Sequence, residues 1–375
     1  MAGIYVHIPF CKQACHYCNF HFSTSLGLME PLIAAILKEI ELQSNYLQGA
    51  TVETLYFGGG TPSILSTADI AQLIETIYKV YPLASQLELT LEANPDDLTK
   101  DKLKELASIG INRLSIGVQS FHDIDLKWMN RSHNADEALG CIQDAQSVGI
   151  TDLSIDLIFG SQTTTMAMWE DNLKKAIALE LPHLSCYGLT VEEGTALAHY
   201  IHTGKMNSLD NNLGAEQFEI TQQLLTNNKY EHYEISNYAK DNRYSRHNTN
   251  YWRQVPYLGL GPAAHSYDGI DRQWNIANNK KYITALTEGA LPYTKEKLSK
   301  ADRYNEYVMT GLRTMWGCDL SQFDLLFPNW KSKNGLELDR LLAEGHITKK
   351  DESIVLSKKG KLIADQIMSQ LFITV

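Results

Sequence analysis

Tyr5-Val6-His7-Ile8-Pro9-Phe10-Cys11-Lys12-Gln13-Ala14-Cys15-His16-Tyr17-Cys18 is the stretch of sequence that decides the fold. It holds three of the six cysteines of this 375-residue chain, spaced C-x3-C-x2-C directly after a short apolar strand. A cluster this tight, in a chain otherwise poor in cysteine, is a metal-ligand pattern rather than a disulfide pattern. Three thiolates on one loop can bind three irons of a 4Fe–4S cluster and leave the fourth iron open.

A structural zinc site is the alternative interpretation of the same cysteines. His7, His16 or His21 would then supply the fourth ligand. Zinc loops usually pair two short cysteine knuckles, so the spacing favours the iron–sulfur cluster and leaves zinc open. The remaining cysteines are scattered through segments with helix or strand patterns, and we expect buried, inert thiols at Cys141, Cys186 and Cys318.

Composition excludes several classes of function. The chain has 33 Lys and Arg against 44 Asp and Glu, which gives a formal charge of −11 and argues against broad binding to nucleic acid or anionic membranes. No apolar run approaches the roughly 18 residues of a membrane span, and no basic-then-apolar signal segment opens the sequence. Unpaired cysteines point to a reducing compartment. We therefore expect a cytoplasmic protein with no nucleic-acid partner and no membrane span.

Strand and helix patterns alternate through the first half of the chain. The six predicted strands are 4–8, 54–57, 87–92, 113–119, 153–159 and 183–189. A helix is expected from about Pro31, since proline suits the first helical position. Strands alternating with helices indicate βαβ units and a parallel sheet. Six units rather than eight predict an α/β fold with an open, partial barrel.

The chain divides into three predicted regions. Residues 1–190 form the partial barrel, and 191–295, rich in Asn, Tyr and Gly with weak periodicity, form an extension. Residues 296–375 have the pattern of a small winged-helix-like domain that ends in a two-stranded wing. Glu337, Asp339 and Glu344 make its candidate recognition helix too acidic for phosphate contacts, so DNA binding is disfavoured.

Strand periodicity places polar side chains inside the barrel. The apolar faces of the strands must meet the helices, so Glu92, Gln119 and Asp156 point inward near the carboxyl ends of their strands. Barrel active sites lie at that end. The alternative is that these polar residues only bond one another. Gly58-Gly59-Gly60-Thr61 also follows a strand, where bare backbone lets a ligand approach, although an ordinary strand-to-helix turn fits equally well.

These residues carry a family resemblance. C-x3-C-x2-C after the first strand, with an aromatic residue (Tyr17) before the third cysteine, resembles the signature of radical S-adenosylmethionine (SAM) enzymes. More narrowly, Tyr-x-His-Ile-Pro-Phe-Cys resembles oxygen-independent coproporphyrinogen III dehydrogenases and their relatives, the HemW-type heme chaperones. The resemblance implies a partial (β/α)6 barrel and a 4Fe–4S cluster on Cys11, Cys15 and Cys18. The open iron would be chelated by the amino and carboxylate groups of SAM.

Similarity to the dehydrogenases also assigns SAM contacts by position. Gly59, Gly60 and Thr61 match the glycine motif that holds the SAM amino group. Tyr5 would contact the methionine part, and Glu92 the carboxylate or ribose region. Arg131 can pair with a carboxylate, although an exposed, solvated arginine is the alternative. The resemblance implies that the second side of the SAM pocket is lined by Gln119, Arg131 and Asp156.

A third motif points to heme. His247-Asn248-Thr249-Asn250-Tyr251-Trp252 resembles the H-N-x-x-Y-W motif of the heme-chaperone branch. An imidazole can ligate heme iron, and the aromatic neighbours Tyr251 and Trp252 can pack on a flat macrocycle. The alternative is a histidine that is bonded within a polar, aromatic layer.

Two departures from the dehydrogenases favour the chaperone branch. Phe20 stands where they carry a fourth cysteine, and the chain begins only a few residues before Tyr5, whereas they have a substantial preceding segment. We therefore predict a heme chaperone that holds a 4Fe–4S cluster, SAM and heme. Its partners would be an electron donor and a heme-acceptor protein. The alternatives are a coproporphyrinogen III dehydrogenase and a zinc-dependent binding module, and productive cleavage of SAM stays open.

Overall fold

Six parallel strands form the centre of the computed structural model, which describes residues 1–373. Each strand pairs with the next in chain order, and the pairing places Tyr5 opposite Tyr56 and Val6 opposite Phe57. All six predicted strands are present, and the α/β partial barrel is confirmed. Their bounds are β1 (Ala2–Ile8), β2 (Val52–Gly59), β3 (Leu83–Ala93), β4 (Arg113–Gln119), β5 (Asp152–Phe159) and β6 (His183–Gly188).

Helices cover the outer face of these strands. The first of them buries Leu32, Ile36 and Ile40 against the sheet. It begins two residues before Pro31, which still lies in the first turn, where a backbone N–H has no intrahelical partner to lose. The helices are α1 (Met29–Leu42), α2 (Thr67–Val80), α3 (Lys100–Ser108), α4 (Asp123–Trp128), α5 (Ala135–Ser147) and α6 (Met166–Ala178).

The segment 191–295 extends this sheet at both edges, which the sequence did not predict. Its strands are three or four residues long, too short for a periodic pattern to show. The elements are α7 (Ala196–His202), α8 (Asn211–Asn227), β7 (Glu231–Glu234), β8 (Asn237–Ala239), α9 (Arg246–Trp252), β9 (Tyr257–Leu260), β10 (His265–Tyr267), β11 (Arg272–Asn275), α10 (Asn279–Thr287) and β12 (Tyr293–Glu296).

The resulting twelve-stranded sheet has the order β12-β11-β10-β9-β1-β2-β3-β4-β5-β6-β8-β7. β8 adds antiparallel to β6, whereas β9 adds parallel to β1 on the opposite side. Apolar side chains of the extension, including Leu225, Leu258 and Tyr282, join the core of the barrel. The predicted boundary at residue 190 therefore separates two segments that share one sheet and one core.

A second core is built from side chains between Ala301 and Ile373. The wing predicted there is present as an antiparallel pair, and a third, two-residue strand joins it. No helix among residues 1–373 is long and apolar enough to cross a membrane. The elements are α11 (Lys300–Leu312), β13 (Cys318–Asp319), α12 (Leu320–Leu326), α13 (Trp330–Ala343), β14 (Ile347–Lys350), β15 (Ser353–Leu356), α14 (Lys358–Lys361) and α15 (Ala364–Gln370).

The central position of β1 makes its apolar face sensitive to truncation. Ile4 is fully buried, so Ile4→Ala should lower the free energy of unfolding by about 2–4 kcal/mol through lost burial and the cavity left behind. Ile124, which is 58% exposed, provides the control, and Ile124→Ala should change stability by less than about 0.5 kcal/mol. Urea unfolding of the two variants measures both values, and equal stabilities would contradict the placement of β1 in the core.

Candidate functional site

The cysteine loop between β1 and α1 is irregular and is held by backbone hydrogen bonds. The Cys11 N–H donates to the Ser23 carbonyl at 3.1 Å, which closes the base of the loop. The Thr61 N–H, from the turn after β2, donates to the Phe10 carbonyl at 2.7 Å. The loop is therefore fixed both to itself and to the neighbouring strand.

The three thiols of this loop are half-buried and free of disulfides. The Thr61 hydroxyl donates to Cys11 Sγ at 3.5 Å, and Arg131 Nη1 donates to Cys15 Sγ at 3.3 Å. Burial raises the pKa of the Cys11 thiol to about 11 and also raises the pKa of Cys18, while Arg131 acts to lower both. Donors aimed at the sulfurs are what a set of metal-binding thiolates needs.

The other three cysteines lie apart from the loop. Cys141, Cys186 and Cys318 are buried, and burial raises the pKa of each thiol. Their prediction as buried thiols is confirmed. Among residues 1–373, no three His, Cys, Asp or Glu side chains converge where one metal ion would be held.

A cavity of about 450 Å³ opens beside the cysteine loop, at the carboxyl ends of the parallel strands. All three loop cysteines line it, together with seven of the eight residues predicted to contact SAM. Phe20, at 67% exposure, lies at its wall. The predicted residues that line the cavity are Cys11, Cys15, Cys18, Gly59, Gly60, Thr61, Glu92, Gln119, Arg131 and Asp156.

Glu92 is fixed by two donors from β2. The Tyr56 hydroxyl donates to one carboxylate oxygen at 2.7 Å, and the Gly59 N–H donates to the other at 3.1 Å. Burial raises the pKa of Glu92, and the two hydrogen bonds oppose that shift. The carboxylate is thus oriented by the protein and faces the cavity, where a cationic group of a ligand would compensate its lost hydration.

Asp156 and Arg131 also line the cavity. Burial, with a smaller contribution from Glu92, raises the pKa of Asp156 to about 7. Arg131 Nη2 donates to Asn94 Oδ1 at 2.6 Å and to the Gly117 carbonyl at 2.7 Å, so its guanidinium is held in one position. The solvated arginine of the alternative interpretation is not observed. The cavity therefore carries both signs of fixed charge.

Gln119 is held in a strained conformation at the end of β4. Its φ of +67° lies in the left-handed region, which residues other than glycine rarely adopt. Its Oε1 is buried and has no hydrogen-bond partner within residues 1–373. Gly117 makes room for this side chain, because a Cβ there would stand 2.9 Å from Gln119 Nε2. Strain and an unpaired buried acceptor are typical of ligand sites.

The glycine turn after β2 is required by the chain itself. Gly59 has a φ of +110°, and a Cβ at this position would lie 2.5 Å from the ring of His7. A Cβ at Gly60 would lie 2.7 Å from the Phe10 carbonyl oxygen. These glycines therefore let the turn approach β1 and the cysteine loop closely. They also border the cavity.

Tyr5 lies behind the cavity and is not among the residues that line it. Its hydroxyl is joined to His7 Nδ1 by a hydrogen bond of 3.0 Å, and its ring stacks on Tyr56. Burial raises the pKa of Tyr5 well above its usual value, and the nearby Glu92 adds to the shift. Its predicted contact with the methionine part of SAM stays a prediction.

His247 lies inside the barrel, at a site distinct from the cavity. The ring is 1% exposed and stacks on Tyr56 at 4.9 Å. Nδ1 is hydrogen-bonded to the Thr54 hydroxyl at 2.8 Å and Nε2 to the Tyr251 hydroxyl at 2.7 Å. Burial lowers the pKa of His247 to about 3, so the ring is neutral. Trp252, the last residue of the motif, is half-buried with Arg313 above its ring at 5.2 Å.

Sequence reasoning missed two residues that organise the cavity. Tyr56 orients Glu92, and Asn94 joins Arg131 to Thr61 through hydrogen bonds of 2.6 and 3.4 Å. Asn94 follows the end of β3, where polar residues are enriched at barrel sites. Tyr56 shares the inward face of β2 with Thr54, so strand periodicity could have found it.

Comparison with known proteins shows which family the chain belongs to. The model of the radical SAM superfamily matches residues 5–176, and that of the HemN C-terminal domain matches residues 298–363. "Heme chaperone HemW" from Bacillus subtilis is 33% identical over 98% of this chain and 98% of its own length. "Heme chaperone HemW" from Escherichia coli is 30% identical over 99% and 98%. The chain belongs to the HemW family of radical SAM proteins.

A solved structure has the same fold, and a further relative is similar in sequence. Coproporphyrinogen III oxidase (HemN) from Escherichia coli superposes with a TM-score of 0.85 over 99% of this chain and 90% of its own, at 24% identity. A mouse relative, "Radical S-adenosyl methionine domain-containing protein 1, mitochondrial", is 31% identical over 99% of this chain and 87% of its own length. Membership of the radical SAM superfamily implies a 4Fe–4S cluster and SAM as cofactors of this HemW-family chain.

Asp156 gives the cavity a measurable pH dependence. Because its pKa is raised to about 7, the carboxyl is protonated below that pH and loses the charge that would attract a cationic ligand such as SAM. SAM affinity should therefore fall as the pH drops through about 7. Asp156→Asn should bind SAM about tenfold more weakly at high pH, with a flatter pH profile. Calorimetry on anaerobically reconstituted protein measures both, and parallel profiles would contradict a role for Asp156.

The buried imidazole of His247 should contribute measurably to the stability of the fold. His247→Ala should lower the free energy of unfolding by about 2–4 kcal/mol, because it opens a cavity and leaves the Thr54 and Tyr251 hydroxyls unpaired. His199, exposed on α7, is the matched control, and His199→Ala should cost less than about 0.5 kcal/mol. Urea unfolding of the two variants measures both changes, and an unchanged midpoint for His247→Ala would contradict the structural role of His247.

Proposed function

We propose that this protein is a heme chaperone, which binds heme and transfers it to an acceptor protein. The observation that carries the proposal is the full-length similarity to proteins named heme chaperones, at 30–33% identity. The convergence of three cysteines and seven predicted SAM residues on one cavity supports the cofactor part of the proposal. An electron donor and an acceptor protein are the partners it requires, and a cytoplasmic location is consistent with the free thiols.

Cys11, Cys15 and Cys18 would hold the 4Fe–4S cluster. When bound, the cluster supplies an electron and one iron open to SAM. The residues fit this group, because the three cysteines line one cavity and Thr61 and Arg131 direct hydrogen-bond donors at two of their sulfurs. The hydrogen bond from the Thr61 N–H to Phe10 anchors the start of this loop, next to Cys11, to the turn after β2.

The cavity beside the loop would hold SAM. Glu92, oriented by Tyr56 and Gly59, would accept hydrogen bonds from its amino or ribose groups. Asp156 would offer a second acceptor across the cavity, and Arg131 would lie within reach of the SAM carboxylate. Gln119 Oε1, buried and unpaired within residues 1–373, would gain a partner from the ligand.

The heme contact predicted at the segment 247–252 stays a prediction. In the present conformation both nitrogens of His247 are hydrogen-bonded and the ring is buried. Ligation of heme iron by this residue would break at least one of these bonds and would require that α9 move away from β2.

The test is heme binding and transfer by the anaerobically reconstituted protein. Titration with heme should produce a saturable Soret band, and mixing with apomyoglobin should move that band to the position of holomyoglobin. Cys15→Ala, which removes one cluster ligand, separates the role of the cluster from that of heme.

The same preparation should be incubated with coproporphyrinogen III, SAM and a reductant. The chaperone proposal predicts no decarboxylation of the propionate side chains. Decarboxylation without saturable heme binding would overturn the proposal in favour of the dehydrogenase. Saturable binding without transfer to any apoprotein would overturn the transfer step alone.

A further inference from the structure

The helix α9, which carries His247, is held against the barrel by contacts at both of its ends. At its amino end, the Glu88 carboxylate accepts from the Arg246 N–H and from the His247 N–H, each at 2.9 Å. The Arg246 guanidinium also donates to the Gln86 carbonyl at 2.7 Å. A Cβ at Gly3 would lie 3.4 Å from the His247 ring, so the helix packs near the amino end of β1. None of its residues lines the cavity proposed for SAM.

At its carboxyl end, α9 is held by the C-terminal domain through two cation–π contacts. The Arg313 guanidinium lies 5.2 Å from the ring centroid of Trp252, and the Arg253 guanidinium lies 4.3 Å from that of Trp316. Arg313 and Trp316 belong to the turn that follows α11. The two contacts are reciprocal, because each segment supplies one cation and one ring. A contact of this kind favours the closed position of the helix by about two- to fivefold when it is partly exposed.

The turn that carries Arg313 is itself fixed on β7. The Arg313 guanidinium is paired with the buried Glu234 at 3.0 Å. The Ile235 N–H donates to the Arg313 carbonyl at 3.1 Å, and the Met315 N–H donates to the Tyr233 carbonyl at 2.9 Å. Because the turn is joined to the sheet in this way, it gives the end of α9 a rigid partner.

Other features of α9 favour its movement. Thr249 Oγ1 and Trp252 Nε1 are buried and have no hydrogen-bond partner within residues 1–373. Water can pair both atoms once the helix moves, so their burial weakens the closed position. Left-handed backbone stands on either side of the helix, with a φ of +57° at Asn242 and +55° at Gln254. Strained residues that flank a segment on both sides are typical of hinges.

We propose that the turn after α11 is a latch, in which Arg313 and Trp316 hold α9 closed and keep His247 away from heme iron. This inference rests on the proposed function, because it concerns how heme reaches the motif 247–252. While the latch is closed, both ring nitrogens of His247 are hydrogen-bonded. Movement of α9 away from β2 frees a ring nitrogen to donate its lone pair, and no proton or electron need move. The apparent affinity for heme is then set by the fraction of molecules in which α9 is open.

The experiment breaks the contact between Arg253 and Trp316 in the full-length, reconstituted protein. Arg253→Met removes the cation at an exposed position and keeps an apolar side chain. Trp316→Leu removes the ring from the other side. The double variant should show no further effect of the contact, because both substitutions break the same one. Lys205→Met is the matched control, since Lys205 lies 4.0 Å from the ring centroid of Tyr200, in a cation–π pair that does not involve α9.

Two measurements report the latch separately. Hydrogen exchange of the segment 243–255, followed by mass spectrometry, measures the opening of α9 without heme. Heme titration followed by the Soret band measures the affinity, and it is repeated in a His247→Gln background. Glutamine keeps a donor and an acceptor beside Thr54 and Tyr251 but offers no imidazole to the iron. Urea unfolding shows whether each variant remains folded.

We expect Arg253→Met and Trp316→Leu to exchange about two- to fivefold faster and to bind heme about two- to fivefold more tightly, with Lys205→Met equal to the wild type. The gain in affinity should disappear in the His247→Gln background. Unchanged exchange would overturn the latch. Faster exchange with unchanged or weaker heme binding, or a gain that persists without His247, would overturn its control of heme and leave the proposed function intact. No saturable binding by the wild type would overturn the proposed function itself, and this inference with it.

Discussion

Two backbone hydrogen bonds join the turn after β2 to the end of β1 and to the start of the cysteine loop, and the rest of the site depends on them. The Gly60 N–H donates to Ile8 at 2.9 Å and the Thr61 N–H to Phe10 at 2.7 Å. The contact is so close that a side chain at Gly60 would displace the loop. The same turn directs the Thr61 hydroxyl at Cys11 and borders the cavity. These two hydrogen bonds therefore position the cysteine loop relative to the cavity.

Burial of two carboxyl groups makes the cavity electrostatically unfavourable. Glu92 and Asp156 both have raised pKa values because burial removes their hydration, and neither forms an ion pair shorter than 4 Å within residues 1–373. Arg131 carries a fixed positive charge in the same cavity, but it donates its hydrogen bonds to Cys15, Asn94 and a backbone carbonyl. A protein that keeps such groups buried has given up stability at a site, and a ligand with cationic and anionic parts would restore it.

Strand periodicity predicted the barrel and the inward direction of Glu92 and Asp156, because long strands with one apolar face have only one register. It could not predict the left-handed backbone of Gln119, or the register shift between Ile116 and Gln119 in the pairing of β4 with β5. The strands of 191–295 were missed for a different reason. Each is three or four residues long, and β9 is defined by pairing with β1, some 250 residues earlier in the chain, which no local pattern records.

His247 shows what a sequence motif can and cannot predict about a ligand. The spacing of His247 and Tyr251 suggested an aromatic wall for a macrocycle, but residues four apart on a helix face one another. That spacing instead brings the Tyr251 hydroxyl onto the ring nitrogen and occupies it. Residue types can be read from the sequence, whereas tertiary contacts determine whether a histidine ring nitrogen is free to bind a ligand.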